Sequence, residues 1–566
     1  MTQKTLPSKF HPALSLYRLS FKRTEGLTVL ITVFSLLFCP GYVIMMIKDE
    51  LRYVAEKTVD FTDMCPTIIF FTAVATTAIA LLYLFINFSF LYGRSSSDFF
   101  HALPVKRGGL LFSRFFASVV PVLIPMLFVY VSMGIIASMK SVKGDIQTVI
   151  FGFAANVLLT VMCCAFSLVF IVCAGSVFDL LISFFTVNVG VILVQVINAA
   201  LCSEFLYGFP SASFSQLFSV SSPFYFGISK LLYLVSYGLT AKAAVFYAAK
   251  LIIITAASLA AAFLLYNRRR SEKSGVSYAY RFVYVICGLI VGFIGSYGLG
   301  IIFSNGEYTA VYWIFAAVGG LLAAVTYGAI TDRGFKSVKK SLVIGGSSFA
   351  AMVLAVIVLN GGLFGYTGRI PKAEEIKAAY ISSSSDSRIM LNNPQNLLKL
   401  HEKMISRHKS DDDVGYSIDI EYELKNGRIL KRQYAVDYEK SSDLLLSLYK
   451  SDEYTAGLKK LLDGNNLQSI NDYFYGFDND TSVSAEISSD ELNLIVDAYI
   501  KDLKNATGSI ATDEYTHLNE IVAWDKETGR HIRYQFRIEK GFKNTLDTIN
   551  SLRLGERSDG EEEIYQ

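Results

Sequence analysis

The chain has 566 residues, 52% of them hydrophobic and 14% aromatic, with a mean hydropathy of +0.40. Only 18% are charged, against about a quarter in soluble chains, which excludes an ordinary soluble globular protein. The net charge of +3 is uninformative, because a basic N-terminal part and an acidic C-terminal third cancel; the basic residues lie in short clusters beside apolar runs, so no nucleic-acid partner is expected.

Residues 1–26 interleave Lys4, Lys9, Arg18, Lys22 and Arg23 with Phe10, Leu14, Leu16, Tyr17, Leu19 and Phe21. The stretch is too long and too charged for the first part of a signal peptide. It reads as a cytoplasmic amphipathic helix lying in the membrane interface and leading into the first span.

A span needs about 20 mostly apolar residues. Nine segments qualify: Leu27–Ile47, Pro66–Tyr92, Phe115–Ser138, Val149–Gly175, Val177–Cys202, Ala244–Tyr266, Phe282–Phe303, Tyr308–Ile330 and Leu342–Leu363. With the N-terminus inside, the inner segments carry eighteen Lys and Arg, among them Arg94, Lys106, Arg107, Arg114, Arg268, Arg269 and Arg270, and the outer loops seven. This bias sets the N-terminus in the cytoplasm. Nine crossings then make everything after about Gly365 extracellular. Residues 203–240 are polar yet aromatic, and read equally well as a re-entrant hairpin or as a folded outer loop.

Polar groups within spans are few: Asn87, Asn156, Asn188, Gln195, Asn198 and Lys250. Such amides serve as interhelical glue or line a pathway, and Asn188, Gln195 and Asn198 are the candidate translocation-path residues. Lys250 can snorkel. Pro121 and Pro125 should bend the third span, and Gly288, Gly292 and Gly295 give the seventh a small-residue stripe. All seven cysteines lie in or beside apolar segments and read as buried thiols.

Residues 366–566 form a separate α+β domain. Tyr416–Glu423 alternates as a half-buried strand, Asn426-Gly427 is a hairpin turn, Arg428–Val436 returns, and a helix at Ser442–Tyr449 follows. The order recurs at Glu520–Asp525, Lys526–Gly529, Arg530–Ile538 and Phe542–Leu552. Aligning Gly427 with Gly529 also aligns Arg428 with Arg530, Gln433 with Gln535, Tyr434 with Phe536 and Val436 with Ile538. Helices at Pro394–Ser406 and Ser489–Leu503, each after a short strand (Ala378–Ser382, Ser482–Ile487), extend the match. The expectation is an internal duplication of a β-α-β-β-α unit, in halves of about 366–465 and 466–566.

Catalytic motifs are missing. There is no nucleotide-cradling G-x-x-x-x-G-K-[ST], no G-x-S-x-G, and no Cys/His metal spacing. His401 and His408 are seven residues apart, which on a helix separates the rings by about 10 Å; they read as a solvated face. Neither an enzymatic role nor a metal site is expected.

The organising stretch is Ser95–Arg114, a polar and basic interruption between two apolar segments. In it Asp98, Phe99, Phe100, His101, Leu103, Pro104, Lys106 and Arg107 form a candidate docking loop. Phe99, Phe100 and Leu103 supply an apolar knob, Pro104 ends a short helix, and Lys106, Arg107 and Arg114 sit at the anionic inner membrane face.

Asp98–Arg107 resembles the D-[FY]-[FY]-H-x-L-P-[VI]-x-R element of ABC-2-type transporter permeases, with Lys106 where a small hydroxyl residue is more usual. The basic leader resembles their N-terminal connecting helix, and Arg268–Gly275 resembles the R-x-x-E-x-x-G that ends their six-span core. The likeness covers about residues 10–275. It implies a six-span permease core (27–275), three additional spans (276–365), and an extracellular domain found in one Gram-positive subgroup implicated in peptide-antibiotic response. It implies that the loop 95–114 couples to a separate ATPase subunit, which would hold ATP and Mg, and that a second permease protomer, identical or similar, completes the assembly in the plasma membrane. The implied function is export or flipping of a hydrophobic or amphipathic substrate. The alternative is a membrane-anchored sensor whose outer domain captures a peptide or cell-wall precursor.

Overall fold

A computed structural model describes residues 12–53, 59–138, 142–143, 146–210, 222–236, 240–383, 388–406, 416–436, 445–476, 481–506, 517–526, 531–539 and 541–553. The chain divides into two compact units, Met1–Asn198 with Phe214–Leu354, and Ala199–Ser213 with Ala355–Gln566.

Among the described residues of the chain, nine helices are long and apolar enough to cross a bilayer, and they identify a multi-pass membrane protein. The spans are Leu14–Tyr42, Cys65–Tyr92, Arg107–Ala137, Ile146–Cys173, Val177–Phe205, Ala241–Arg268, Arg281–Phe303, Ala310–Thr331 and Phe335–Asn360. Helix Arg107–Ala137 continues through both Pro121 and Pro125.

The leader is not a separate interfacial helix. Pro12–Tyr53 is one continuous 42-residue helix that passes Glu25-Gly26 without a break. Its buried stripe is Leu16, Ser20, Thr24 and Thr28, spaced four apart, whereas Leu14, Leu19, Val29, Leu30 and Val33 are exposed. In lipid the bulky apolar residues need no burial, so small and hydroxylated positions make the contacts. Thr28 Oγ1 lies 3.0 Å from the Tyr83 hydroxyl of the second span.

The intramembrane amides Asn87 and Asn156 act as glue. Asn87 Nδ2 donates to Ser118 Oγ across the second and third spans (3.0 Å). Thr76 Oγ1 donates to Asn156 Oδ1 across the second and fourth (3.1 Å). The Lys250 ammonium rests 3.5 Å from the Phe226 ring centroid. Within 203–240 the described helix Pro223–Ser236 packs in the bundle with Phe226, Leu231 and Leu234 buried, and the Tyr247 hydroxyl donates to the Gly227 carbonyl (2.9 Å). This part of the segment is therefore a helix with one face in the bundle, while Tyr225, Leu232 and Tyr233 are exposed. Of six described cysteines, five are buried.

The seventh to ninth spans pack through small residues: Gly288, Gly292, Ser296 and Gly300 on the seventh, and Ala316, Gly319, Gly320 and Ala324 on the eighth, are buried. Ser348 Oγ of the ninth donates to the Leu289 carbonyl (3.0 Å).

The second unit carries two four-stranded antiparallel sheets. The first holds β1 (Ile376–Ser383), β2 (Ile389–Leu391), β3 (Tyr416–Leu424) and β4 (Ile429–Val436). The second holds β5 (Leu467–Gly476), β6 (Thr481–Glu486), β7 (His517–Asp525) and β8 (His531–Ile538). The strand orders β2-β1-β3-β4 and β6-β5-β7-β8 are the same, with Gln395–Ser406 and Ser489–Asn505 as the corresponding helices. The repeating topology is thus β-β-α-β-β-α, closed by the helical residues 445–449 in the first half and by helix Lys543–Arg553 in the second. It has one strand more than the sequence pattern suggested, and Thr481–Glu486 corresponds to β2, not to β1. The central strand β5 was missed because its alternation breaks at a bulge between Gln468 and Asn471, where Ser469 takes φ +51°. Helix Asp452–Leu461, buried against β2 at Gly457, links the halves, and both share one core.

His401 is not on a solvated face; it is fully buried, with Nδ1 3.2 Å from the Tyr422 hydroxyl and Nε2 2.9 Å from that of Tyr434. His408 lies outside the described residues. Burial, reinforced by Arg432, pushes the His401 pKa down to about 4. The unfolded chain therefore binds a proton near pH 6.5 that the folded domain refuses until about 4. The domain is expected to lose stability as pH falls from 6.5 to 4, and His401→Val should flatten that slope in thermal unfolding followed across the range.

A Cβ on Gly319 would run into the Gly295 carbonyl, while one on Gly298 meets nothing within 4 Å. Gly319→Leu should cost about 1–3 kcal/mol in detergent-solubilised thermal unfolding, and Gly298→Leu should be close to neutral by the same measurement.

Candidate functional site

The loop between the second and third spans folds as a short helix, Arg94–His101, followed by a turn to Lys106. The helix starts after extended Gly93 and stops three residues before Pro104. Ala102 N–H closes it on the Asp98 carbonyl (3.0 Å).

The structure divides the expected apolar knob. Phe99 is 63% exposed, and Asp98, Ala102, Pro104, Lys106 and Arg107 are exposed beside it. Phe100, Leu103 and Val105 turn the other way and pack on the core formed by the second, third and fourth spans. The Phe100 ring centroid lies 4.9 Å from that of Phe90. Phe100 and Leu103 are therefore footings of the loop, and Phe99 is its projecting side chain.

Arg114 is not at the membrane face. It is 1% exposed, with its guanidinium carbon 4.3 Å from the Phe90 centroid and 4.2 Å from that of Phe100. Nη1 donates to the Asn87 carbonyl. The cation rests on ring faces and one carbonyl, an arrangement favoured by its weak hydration, while its Nε is buried without a hydrogen-bond partner.

Arg269, also buried, reaches the carbonyls of Leu91 (2.9 Å), Val172 (2.6 Å) and Ile171 (3.3 Å). Those carbonyls belong to the last turns of the second and fourth spans, where helix dipoles concentrate negative charge. Burial lowers the Arg269 pKa. Arg107 Nη1 donates to the carbonyls of Asn267 (3.0 Å) and Arg269 (2.8 Å), and His101 Nε2 lies 3.1 Å from the Tyr266 hydroxyl. Burial first, then Arg107 and Arg269, lower the His101 pKa. Arg94 Nε donates to Ser274 O (3.4 Å). Gly275, at φ +79°, donates its N–H to Gly175 O (2.8 Å). The segment Arg269–Gly275 is accordingly a junction that fastens the loop to the ends of three spans.

Asn188, Gln195 and Asn198 all lie on the fifth span. Asn188 sits in a π-helical interruption, Thr186–Gly190, accepting from Ser222 Oγ (3.4 Å) and donating to the Phe184 carbonyl (2.9 Å). Gly190 abuts Ile290 of the seventh span. Gln195 and Asn198 are half-buried, and the Gln195 Oε1 atom is buried without a hydrogen-bond partner. No group of three or more His, Cys, Asp or Glu among the described residues could hold a metal ion.

Residues 422–527 match the family described as Domain of unknown function (DUF6449). The match runs from within β3 to just past β7, so it straddles both sheets. No curated protein and no solved structure matches the chain.

The split within the loop gives a direct test. Phe100→Ala should cost about 3–5 kcal/mol, since it empties the ring contact beneath Arg114, while Phe99→Ala should change stability by less than about 0.5 kcal/mol, both measured by thermal unfolding in detergent.

Proposed function

We propose that the chain is the membrane permease of an ATP-driven transporter, with the helix Arg94–His101 as its contact for a separate ATPase subunit. The observation that carries the reading is Phe99. A large aromatic held 63% exposed on a helix whose opposite face is fastened by Phe100, Arg114 and His101 is a rigid, presented side chain. Aromatic anchors of this kind dominate protein interfaces. ATP and Mg belong to the partner, whose closure pushes on Phe99; the buried contacts beneath carry that push into the third and sixth spans. Two such permeases pair around two ATPases. The N-terminus is cytoplasmic, the C-terminal domain extracellular, and the substrate hydrophobic or amphipathic. Asn188 and the partnerless Gln195 oxygen support the fifth span as the lining of its path.

The sensor reading draws on the second sheet, where Tyr475 and Trp524 are exposed, although Phe474 is buried and Phe477 lies outside the described residues. Here the domain captures a peptide or wall precursor without transport.

Affinity purification from native membranes separates the two. A stoichiometric nucleotide-binding subunit is expected to accompany the wild type and to be lost with Phe99→Asp, while the variant's own thermal stability stays unchanged. Recovery of the chain alone under mild conditions would favour the sensor.

A further inference from the structure

The fifth span does not end in a free loop. The unit boundary falls inside helix Val191–Phe205, so that Ala199–Ser213 belongs to the compact unit of the C-terminal domain. The helix finishes at Phe205, and Leu206–Phe209 make a turn closed by Phe209 N–H on the Leu206 carbonyl (3.1 Å). Gln433 of the edge strand β4 donates its N–H to Gly208 O (3.2 Å). The Tyr207 ring lies 5.2 Å from that of Tyr434, and Phe209 lies 6.4 Å from Tyr366.

Gly208 is required twice over. Its φ of +78° is a conformation side chains resist, and a Cβ would stand 2.7–2.8 Å from Cε1, Cζ and the hydroxyl oxygen of Tyr434. Arg432, 1% exposed, stacks its guanidinium 3.7 Å from the Tyr366 centroid and donates Nη2 to the Tyr366 carbonyl (2.6 Å). Burying a cation without a carboxylate is costly, and Arg432 donates to the carbonyls of Tyr366 and Lys431.

The second half shows what the fold needs without this attachment. Aligned on their buried positions, helix residues Leu397, Leu400, His401 and Met404 match Leu492, Ile495, Val496 and Tyr499. Along the return strands Arg432 matches Tyr534 and Tyr434 matches Phe536; on the preceding strand the buried Tyr422 matches the buried Ala523. Val, Phe, Tyr and Ala fill the second core. Their counterparts His401, Tyr434, Arg432 and Tyr422 form a connected polar chain running from the domain interior to Gly208 and Tyr366. The fold itself does not demand these polar residues.

We propose that the first half of the C-terminal domain is specialised as a receptor for the chain's own Tyr207–Phe209 turn, a clasp pinned by Arg432 and Tyr434 that ties the end of the fifth span to the domain. Strain introduced in that half, by a bound ligand or otherwise, then reaches the fifth span through the clasp.

Hydrogen–deuterium exchange on the detergent-solubilised full chain tests this. Gly208→Val attacks the clasp from the turn, and Arg432→Met from the strand. In each variant, amides of 199–209 should exchange about tenfold faster or more, with the second half (481–538) unchanged. Wild-type exchange at 199–209 in both variants would overturn the proposal. So would acceleration spread evenly over 376–538, because that marks a general folding defect. If Arg432→Met unfolds the domain, Gly208→Val decides alone, since it removes no buried side chain of the domain and presses only on the Tyr434 ring.

Discussion

A buried guanidinium that meets carbonyls instead of carboxylates is the interaction on which the membrane unit depends. Arg269 lies where the second and fourth spans end, and each of those helices arrives with carbonyls that have no intrahelical donor. One planar cation with five donors serves both ends at once. Because Arg107 donates to the Arg269 backbone carbonyl and His101 meets Tyr266, the loop before the third span is fixed to the same point. Arg114 completes the arrangement from beneath, between Phe90 and Phe100. The helix that carries the exposed Phe99 is backed by groups that would otherwise leave a charge or carbonyl unpaired in a dry interior.

The C-terminal domain repeats the device. Arg432 also lies over an aromatic ring and donates to that residue's own carbonyl. In both units, cations serve as connectors between segments distant in sequence, and apolar burial supplies the bulk of the cohesion.

How much of this was legible follows from where each signal resides. The nine spans could be read because apolar length is a local property, and the hairpin at Gly427 because its φ of +79° needs a particular residue type. Strand β5 was hidden because a bulge at Ser469 shifts Leu467 and Phe474 out of one alternating phase. The burial of Arg114, Arg269, His401 and Arg432 was illegible for a deeper reason. The partners of the three arginines are main-chain carbonyls and ring faces, and those of His401 are tyrosine hydroxyls; groups this common leave no residue elsewhere that announces the pairing. The leader misled because amphipathicity was read by the rule for water; in lipid the buried stripe is Ser20, Thr24 and Thr28, and the leucines face out.

The last three spans carry one further consequence. Their contacts run backbone against backbone at Gly319 and Gly345, and backbone against the small side chains of Ser348, Ala323 and Ser296 at Gly292, Gly295 and Gly320, which leaves little to yield. A bundle packed by leucines can absorb a substitution by rotating a neighbour, but this one cannot. Room for exchange of one apolar side chain for another lies instead at exposed positions such as Ile302, Ile314, Leu322, Val343 and Leu354. The three helices should change their outer surface readily while their mutual geometry stays frozen, so that they descend as a single inherited block.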